Sequence, residues 1–208
     1  MDLVGLGFFR DVALDCNDEA TATASRVLLE NAFDGSSKRI APAVRAWRVA
    51  ATRDLMAVLE SSKGDETKLR RAVTLLTNLV RKDAKAKAKA AAGEATPGSV
   101  LTNEYFDTMF AMLSDPELGR RVWELLMLCP THEATRANVS SLETSGDGEG
   151  FAKLSFAQNL SDPDAPEYIF QLLYLVQVIH GLLLSDEVRT CAVPLAQYFF
   201  FSMQSRVL

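Results

Sequence analysis

Three cysteines and two histidines are the residues of this chain best suited to covalent or metal chemistry. Nucleophilic catalysis by Cys16, Cys129 or Cys191 would require a thiolate, an imidazole from His132 or His180, and usually a third side chain to orient it. Each cysteine instead stands at a packing position or a helix end, and none occupies a glycine-rich loop that would expose it, so structural thiols are expected. Zinc needs four ligands in short paired spacings, and neither Cys-x-x-Cys nor His-x-x-x-His occurs. His180 lies in an apolar run and reads as a core histidine; His132, directly after Thr131, reads as a solvated surface group. Gly5 and Gly7 follow no strand and so do not form a phosphate loop. The Asp/Gly alternation from Ser145 to Gly150 lacks the terminal bidentate Glu of a calcium loop. Asp162, Asp164 and Glu167 fall in a loop with no cleft around them and read as capping or solubilising groups. No catalytic residue, cofactor or metal is expected.

The remaining candidates are cationic. Residues 38–90 hold 14 Lys/Arg against 5 Asp/Glu, which leaves 8 against 22 for the rest of a chain whose net charge is −5. Within that stretch Arg45 and Arg48 stand off the apolar stripe of one predicted helix and Arg71 lies on the polar side of the next, making them the candidate partner-binding residues. A basic surface of this density suits an acidic protein partner or forms the solvated side of two helices. The Lys85-Ala86-Lys87-Ala88-Lys89 alternation spreads charge around a helix instead of concentrating it, so nucleic acid is disfavoured as a partner.

These residues are positioned by helices. Asn17 or Asp18 offers an N-cap for a helix running to about Phe33, and Gly35-Ser36-Ser37 breaks the chain. Ile40, Val44, Trp47, Ala51, Leu55 and Val58 recur at helical spacing, and after a turn at Ser62-Lys63-Gly64-Asp65 so do Leu69, Val73, Leu76 and Val80, predicting a helix hairpin. A flexible linker is expected over 84–100, and Thr102 is the expected cap of the helix containing Phe106, Met109 and Phe110. Ser114 and Glu117 have capping-box spacing around Pro116, and Pro130 stops the chain behind Cys129, predicting one helix of about 14 residues. It carries two apolar stripes, Leu118/Val122/Leu125/Leu126/Cys129 and Trp123/Met127, which implies neighbours on two sides. Thr131 caps a short helix toward Leu142, followed by an acidic loop over 143–150. The apolar run from Tyr168 to Leu184 is short for a span of about 20 residues and has acidic flanks, so a central buried helix is expected, not a membrane segment. Ser185 caps a last helix kinked at Pro194, and the apolar end at Phe199-Phe200-Phe201 suggests a piece of a longer protein.

With 48 % hydrophobic and 24 % charged residues, 208 residues suffice for a self-supporting core. No strand pattern occurs. The expected class is all-α, an irregular armadillo- or HEAT-like α-solenoid of about nine helices forming one domain over 1–208. Three scattered cysteines and no leader pattern favour a reducing compartment, cytoplasmic or nuclear.

At Tyr105-Phe106-Asp107-Thr108-Met109-Phe110-Ala111-Met112-Leu113 and Val122-Trp123-Glu124-Leu125-Leu126-Met127-Leu128-Cys129-Pro130-Thr131 the chain resembles the helical region preceding the catalytic domain of very large ubiquitin-specific proteases. Those proteins read Trp-x-Leu-Leu-x-x-Leu-Pro-Thr-Asn there; Cys129 replaces the usual Leu and His132 the usual Asn. About thirty residues are covered. The family's cysteine box, Gly-x-Thr-Cys-Tyr-x-Asn, and its histidine box are absent from this chain. The resemblance implies a noncatalytic armadillo-like scaffold that places ubiquitinated substrates or other protein partners near a peptidase domain lying elsewhere. An independent helical adaptor unrelated to ubiquitin is the alternative, and a helical cysteine hydrolase the third.

Overall fold

The computed structural model of the chain describes residues 4–34, 41–62, 64–86, 95–140 and 169–184. Among them are nine α-helices and no strand: α1 (Val4–Asp15), α2 (Glu19–Asp34), α3 (Ala41–Ser61), α4 (Glu66–Ala86), α5 (Pro97–Glu104), α6 (Phe106–Met112), α7 (Gly119–Leu126), α8 (Glu133–Ser140) and α9 (Ile169–Leu184). The all-helical class is as expected. The expected acidic loop, the carboxylates at 162–167, Cys191 and the final helix with Pro194 lie outside the described residues. The helices fall into two compact units. One holds the described residues through Met112 together with Glu117–Pro130, and the other holds Leu113–Pro116 with the described residues from Thr131 onward.

In the first unit, local side-chain caps open several helices. The Asp18 carboxylate accepts the Thr21 amide at 2.8 Å and opens α2, and Asp65 accepts the Lys68 amide at 3.0 Å and opens α4. Between α3 and α4 the chain reverses through Gly64, whose φ of +101° is a conformation that side chains with a Cβ resist. The hairpin of α3 and α4 is the expected one, and α4 also packs against α1, α2, α5 and α7. Its apolar stripe is closed to solvent at Ala72, Val73 and Leu76. On α3 the buried set is wider than the predicted stripe, for it includes Arg48, Thr52 and Met56 besides Val44, Ala51 and Leu55.

Two starts differ from expectation. Thr96, not Thr102, caps α5: its hydroxyl accepts the Ser99 amide at 3.1 Å while the Ser99 hydroxyl accepts the Thr96 amide at 2.8 Å, with Pro97 next to the cap. Thr102 is buried inside that helix and its hydroxyl donates to the Gly98 carbonyl at 3.1 Å. The expected linker over 84–100 is therefore helical at both described ends, Lys85 and Ala86 closing α4 and Pro97 opening α5. Helix α7 has 8 residues, not about 14. A proline disfavours helical backbone at the residue before it, here Asp115, and a turn over 116–118 delays the first helical residue to Gly119. Beyond Leu126 the amides of Leu128 and Cys129 bond to carbonyls three residues back, a tightening last turn ahead of Pro130. Its first stripe is buried at Leu118, Val122, Leu125 and Leu126, whereas Met127 on the second is exposed and Trp123 half-buried. Gly98 fits α5 against the end of α7, where a Cβ would meet Pro130 Cδ at 3.1 Å.

In the second unit α8 packs on α9, and Gln171 Nε2 donates to the Ser114 hydroxyl at 3.0 Å. Tyr174, Leu175, Val178 and Ile179 form the buried face of α9. The helix is not buried all round, and His180, expected in the core, is exposed. His132 precedes α8 half-buried, its Nδ1 hydrogen-bonded with the Thr135 hydroxyl at 3.0 Å. Among the described residues no helix is long and apolar enough to cross a membrane.

Candidate functional site

The three candidate arginines are placed differently. Arg45 is half-buried on α3, Arg48 is only 6 % exposed, and Arg71 points from the first turns of α4 into the α1–α2 junction. There the Arg71 guanidinium spans two chain segments. Nη1 donates to the carbonyls of Leu14 at 3.1 Å and Cys16 at 2.7 Å, both at the end of α1, and Nη2 pairs with the Glu19 carboxylate in the first turn of α2. The last carbonyls of a helix have no partner within it and carry partial negative charge, so a guanidinium is the matching cap. One turn earlier on α4, Lys68 pairs with Asp15.

These contacts line a polar cleft of about 360 Å³ walled by Asp15, Cys16, Asn17, Asp65, Lys68 and Arg71. Cys16 is half-buried just beyond α1, and no imidazole lines the cleft to activate its thiol. Cys129, at the end of α7, donates from Sγ to the Leu125 carbonyl at 3.4 Å. Among the described residues no three His, Cys, Asp or Glu side chains converge as metal ligands would. Arg71 was the only candidate arginine that reaches this cleft. The acids it and Lys68 meet were missed, although Asp15 and Glu19 flank the α1–α2 turn and Lys68 and Arg71 share one face of α4.

A further ion pair joins α3 to α5 within the same unit. Arg53 Nε donates to Glu104 Oε2 at 2.8 Å and Nη2 to Oε1 at 2.6 Å, a bidentate fork. The Arg53 hydrogen bonds hold the Glu104 carboxyl below its usual range, those of Arg71 do the same for Glu19, and the Thr21 hydroxyl and amide for Asp18. A carboxyl whose folded-state pKa is depressed binds its proton more readily in the unfolded chain, so its stabilisation is present above the unfolded value and is lost as pH falls through the folded one. The thermal midpoint should hold from neutral pH down to the usual carboxylate range near about pH 4 and drop below it. In a Glu19→Gln, Glu104→Gln double variant followed by circular dichroism across the same pH series, the acid-side drop should be smaller. An unchanged acid limb would locate the acid sensitivity in other carboxylates.

Comparison with protein-family models, characterised proteins and solved structures finds no match to this chain.

Proposed function

We propose that this chain is a noncatalytic helical scaffold for protein–protein interaction, an armadillo- or HEAT-like segment of a large intracellular deubiquitinating enzyme that positions ubiquitinated substrates or other protein partners. The observation that supports this most directly is the outer surface of the α1–α2 hairpin, where Phe8 is 63 % exposed and Val27 and Leu28 are 45 % and 49 % exposed. The short turn between the helices sets Phe8 and Val27 at similar heights along the hairpin. Buried aromatic and aliphatic side chains are frequent energetic anchors of protein interfaces, and Phe8, Val27 and Leu28 are the large apolar side chains these two helices leave to solvent. The resemblance over residues 105–113 and 122–131 supports a ubiquitin-linked partner. Arg71, committed to the α1–α2 junction, serves this surface by holding its two helices together.

The test is surface plasmon resonance of the full 208-residue chain against ubiquitin, ubiquitin chains and a ubiquitinated substrate protein. Saturable binding of at least one of them is expected, weakened about tenfold or more by Phe8→Asp combined with Leu28→Asp while the helical circular dichroism is retained. No binding at concentrations on the order of 100 µM would remove the ubiquitin-linked function. Binding indifferent to the double variant would remove the hairpin as its surface.

A further inference from the structure

Helices α1 and α2 pack on each other more broadly than either packs on α4. Of their described residues Ala13, Leu14, Ala22, Ser25 and Leu29 are buried, so the hairpin contributes two large apolar side chains to the core, one near each end. Helix α4 by itself buries Val73, Leu75, Leu76, Leu79 and Val80. The hairpin is thus packed better within itself than onto its unit. Such a segment opens at a lower free energy than the core beneath it.

Its two ends are held differently. At the turn, the Arg71 guanidinium takes the carbonyls of Leu14 and Cys16 together with the Glu19 carboxylate, and Lys68 pairs with Asp15. Lifting the turn would strand a sheltered guanidinium and two helix-end carbonyls. At the far end two links cross to the neighbouring helices: Arg10 to Asp54 on α3, and Asn78 on α4 to Glu30. Each has a substitute at hand. Arg10 also bonds Asp11 at 2.9 Å, and Glu30 has Arg26 at 4.0 Å one turn back, so release of this end leaves neither charge alone. The Asp54 side chain is 59 % exposed and that of Glu30 32 %, so salt reaches and screens both links. Between the links, Arg10 and Leu29 line an apolar pocket with Trp47, Ala51, Leu75 and Leu79.

We propose that the α1–α2 hairpin is a flap hinged at Arg71: its far end lifts from α3 and α4, uncovering the apolar surface around Ala51, Leu75 and Leu79, and the Arg10–Asp54 and Asn78–Glu30 contacts are the latch that closes it. The inference is independent of any ubiquitin-linked role. Ionic strength is the control the latch responds to, since the Debye length falls from about 30 Å at 0.01 M salt to about 3 Å at 1 M.

Ala51→Cys places a reporter under the flap, at a position 1 % exposed whose side chain lines the pocket and so has room for a sulfur atom. In the full chain with Cys16, Cys129 and Cys191 changed to Ser, alkylation of that thiol by neutral iodoacetamide should be slow in low salt. It should speed up about tenfold by 1 M NaCl while the helical circular dichroism holds. Arg10→Gln combined with Glu30→Gln cuts the latch and should give the fast rate already in low salt, with little further response. Lys68→Gln, at the hinge, should keep the salt response. Leu125→Cys, sealed on α7 away from the hairpin, should stay slow throughout, which separates flap opening from global unfolding. A salt-independent rate at Ala51→Cys, a latch variant still slow in low salt, or equal acceleration at Leu125→Cys would overturn the proposal. A salt response abolished by Lys68→Gln would overturn the placement of the hinge.

Discussion

Leu76→Ala should lower the unfolding free energy by about 3–5 kcal/mol, the largest effect of any single truncation considered. Leu76 has no solvent-exposed surface, and it stands on the helix that packs against α1, α2, α3, α5 and α7. Losing three carbons there removes their transfer free energy and leaves a void. Whether the void closes depends on the neighbours. Those on α3 and α4 belong to helices of 21 residues, whose backbone hydrogen bonds hold them back from collapsing inward, so the upper part of the range is expected. Urea unfolding followed at 222 nm should show a lower midpoint with an unchanged slope. Leu28→Ala, at a 49 % exposed position, is the control and should move the midpoint little. A cost for Leu76→Ala below about 1 kcal/mol would mean that α4 is not the packing centre of its unit.

Arg71→Ala should cost about 2–4 kcal/mol, chiefly through the carbonyls of Leu14 and Cys16 and not through the Glu19 ion pair. The Arg71 side chain is only 14 % exposed while that of Glu19 is 71 % exposed, so water screens the carboxylate partner and the carbonyl contacts are the better sheltered ones. Glu19→Gln should therefore be much milder. Arg71→Lys should recover only part of the loss, because a single ammonium cannot reproduce the fork that reaches two carbonyls and a carboxylate together. Equal losses for Glu19→Gln and Arg71→Ala in urea titration would transfer the effect to the ion pair. The same result constrains functional mutagenesis: a charge reversal at Arg71 loosens the α1–α2 hairpin whether or not a partner touches it, so lost binding in such a variant requires an unfolding control.

What was legible in the sequence follows from how local each signal is. The start of α2 was readable because Asp18 acts on an amide three residues away, and that of α4 because the turn at Ser62-Lys63-Gly64-Asp65 marks it. The α3 and α4 stripes were readable because the helices are long enough for the period to repeat. The cap of α5 was misplaced because a threonine hydroxyl has two local uses, and Thr102 spends its own on the Gly98 carbonyl inside the helix. The burial of Arg48 was hidden because it lies off the strongest apolar stripe. Thr52, four residues on, and Met56, four further, are fully buried on the same side, a second packing face that a threonine and an arginine conceal from an apolar count. Arg71 could be singled out as a cation but not as a cap, since the carbonyls it meets are 57 and 55 residues away in sequence. The open side of α9 was missed because continuous apolarity looks the same whether one face or both are covered.

Helix length has one more consequence. Helices α5, α6 and α7 have 8, 7 and 8 residues, below the roughly 12–15 at which an isolated helix becomes even marginal in water. Yet Leu101, Met109, Val122 and Leu125 on them are sealed from solvent. Their backbone order is borrowed from the long α3–α4 pair on which α5 and α7 dock. Amide protons in the three short helices are thus released together when that docking fails, with no residual protection of their own, and a fragment beginning at Thr96 lacks the template it needs to fold.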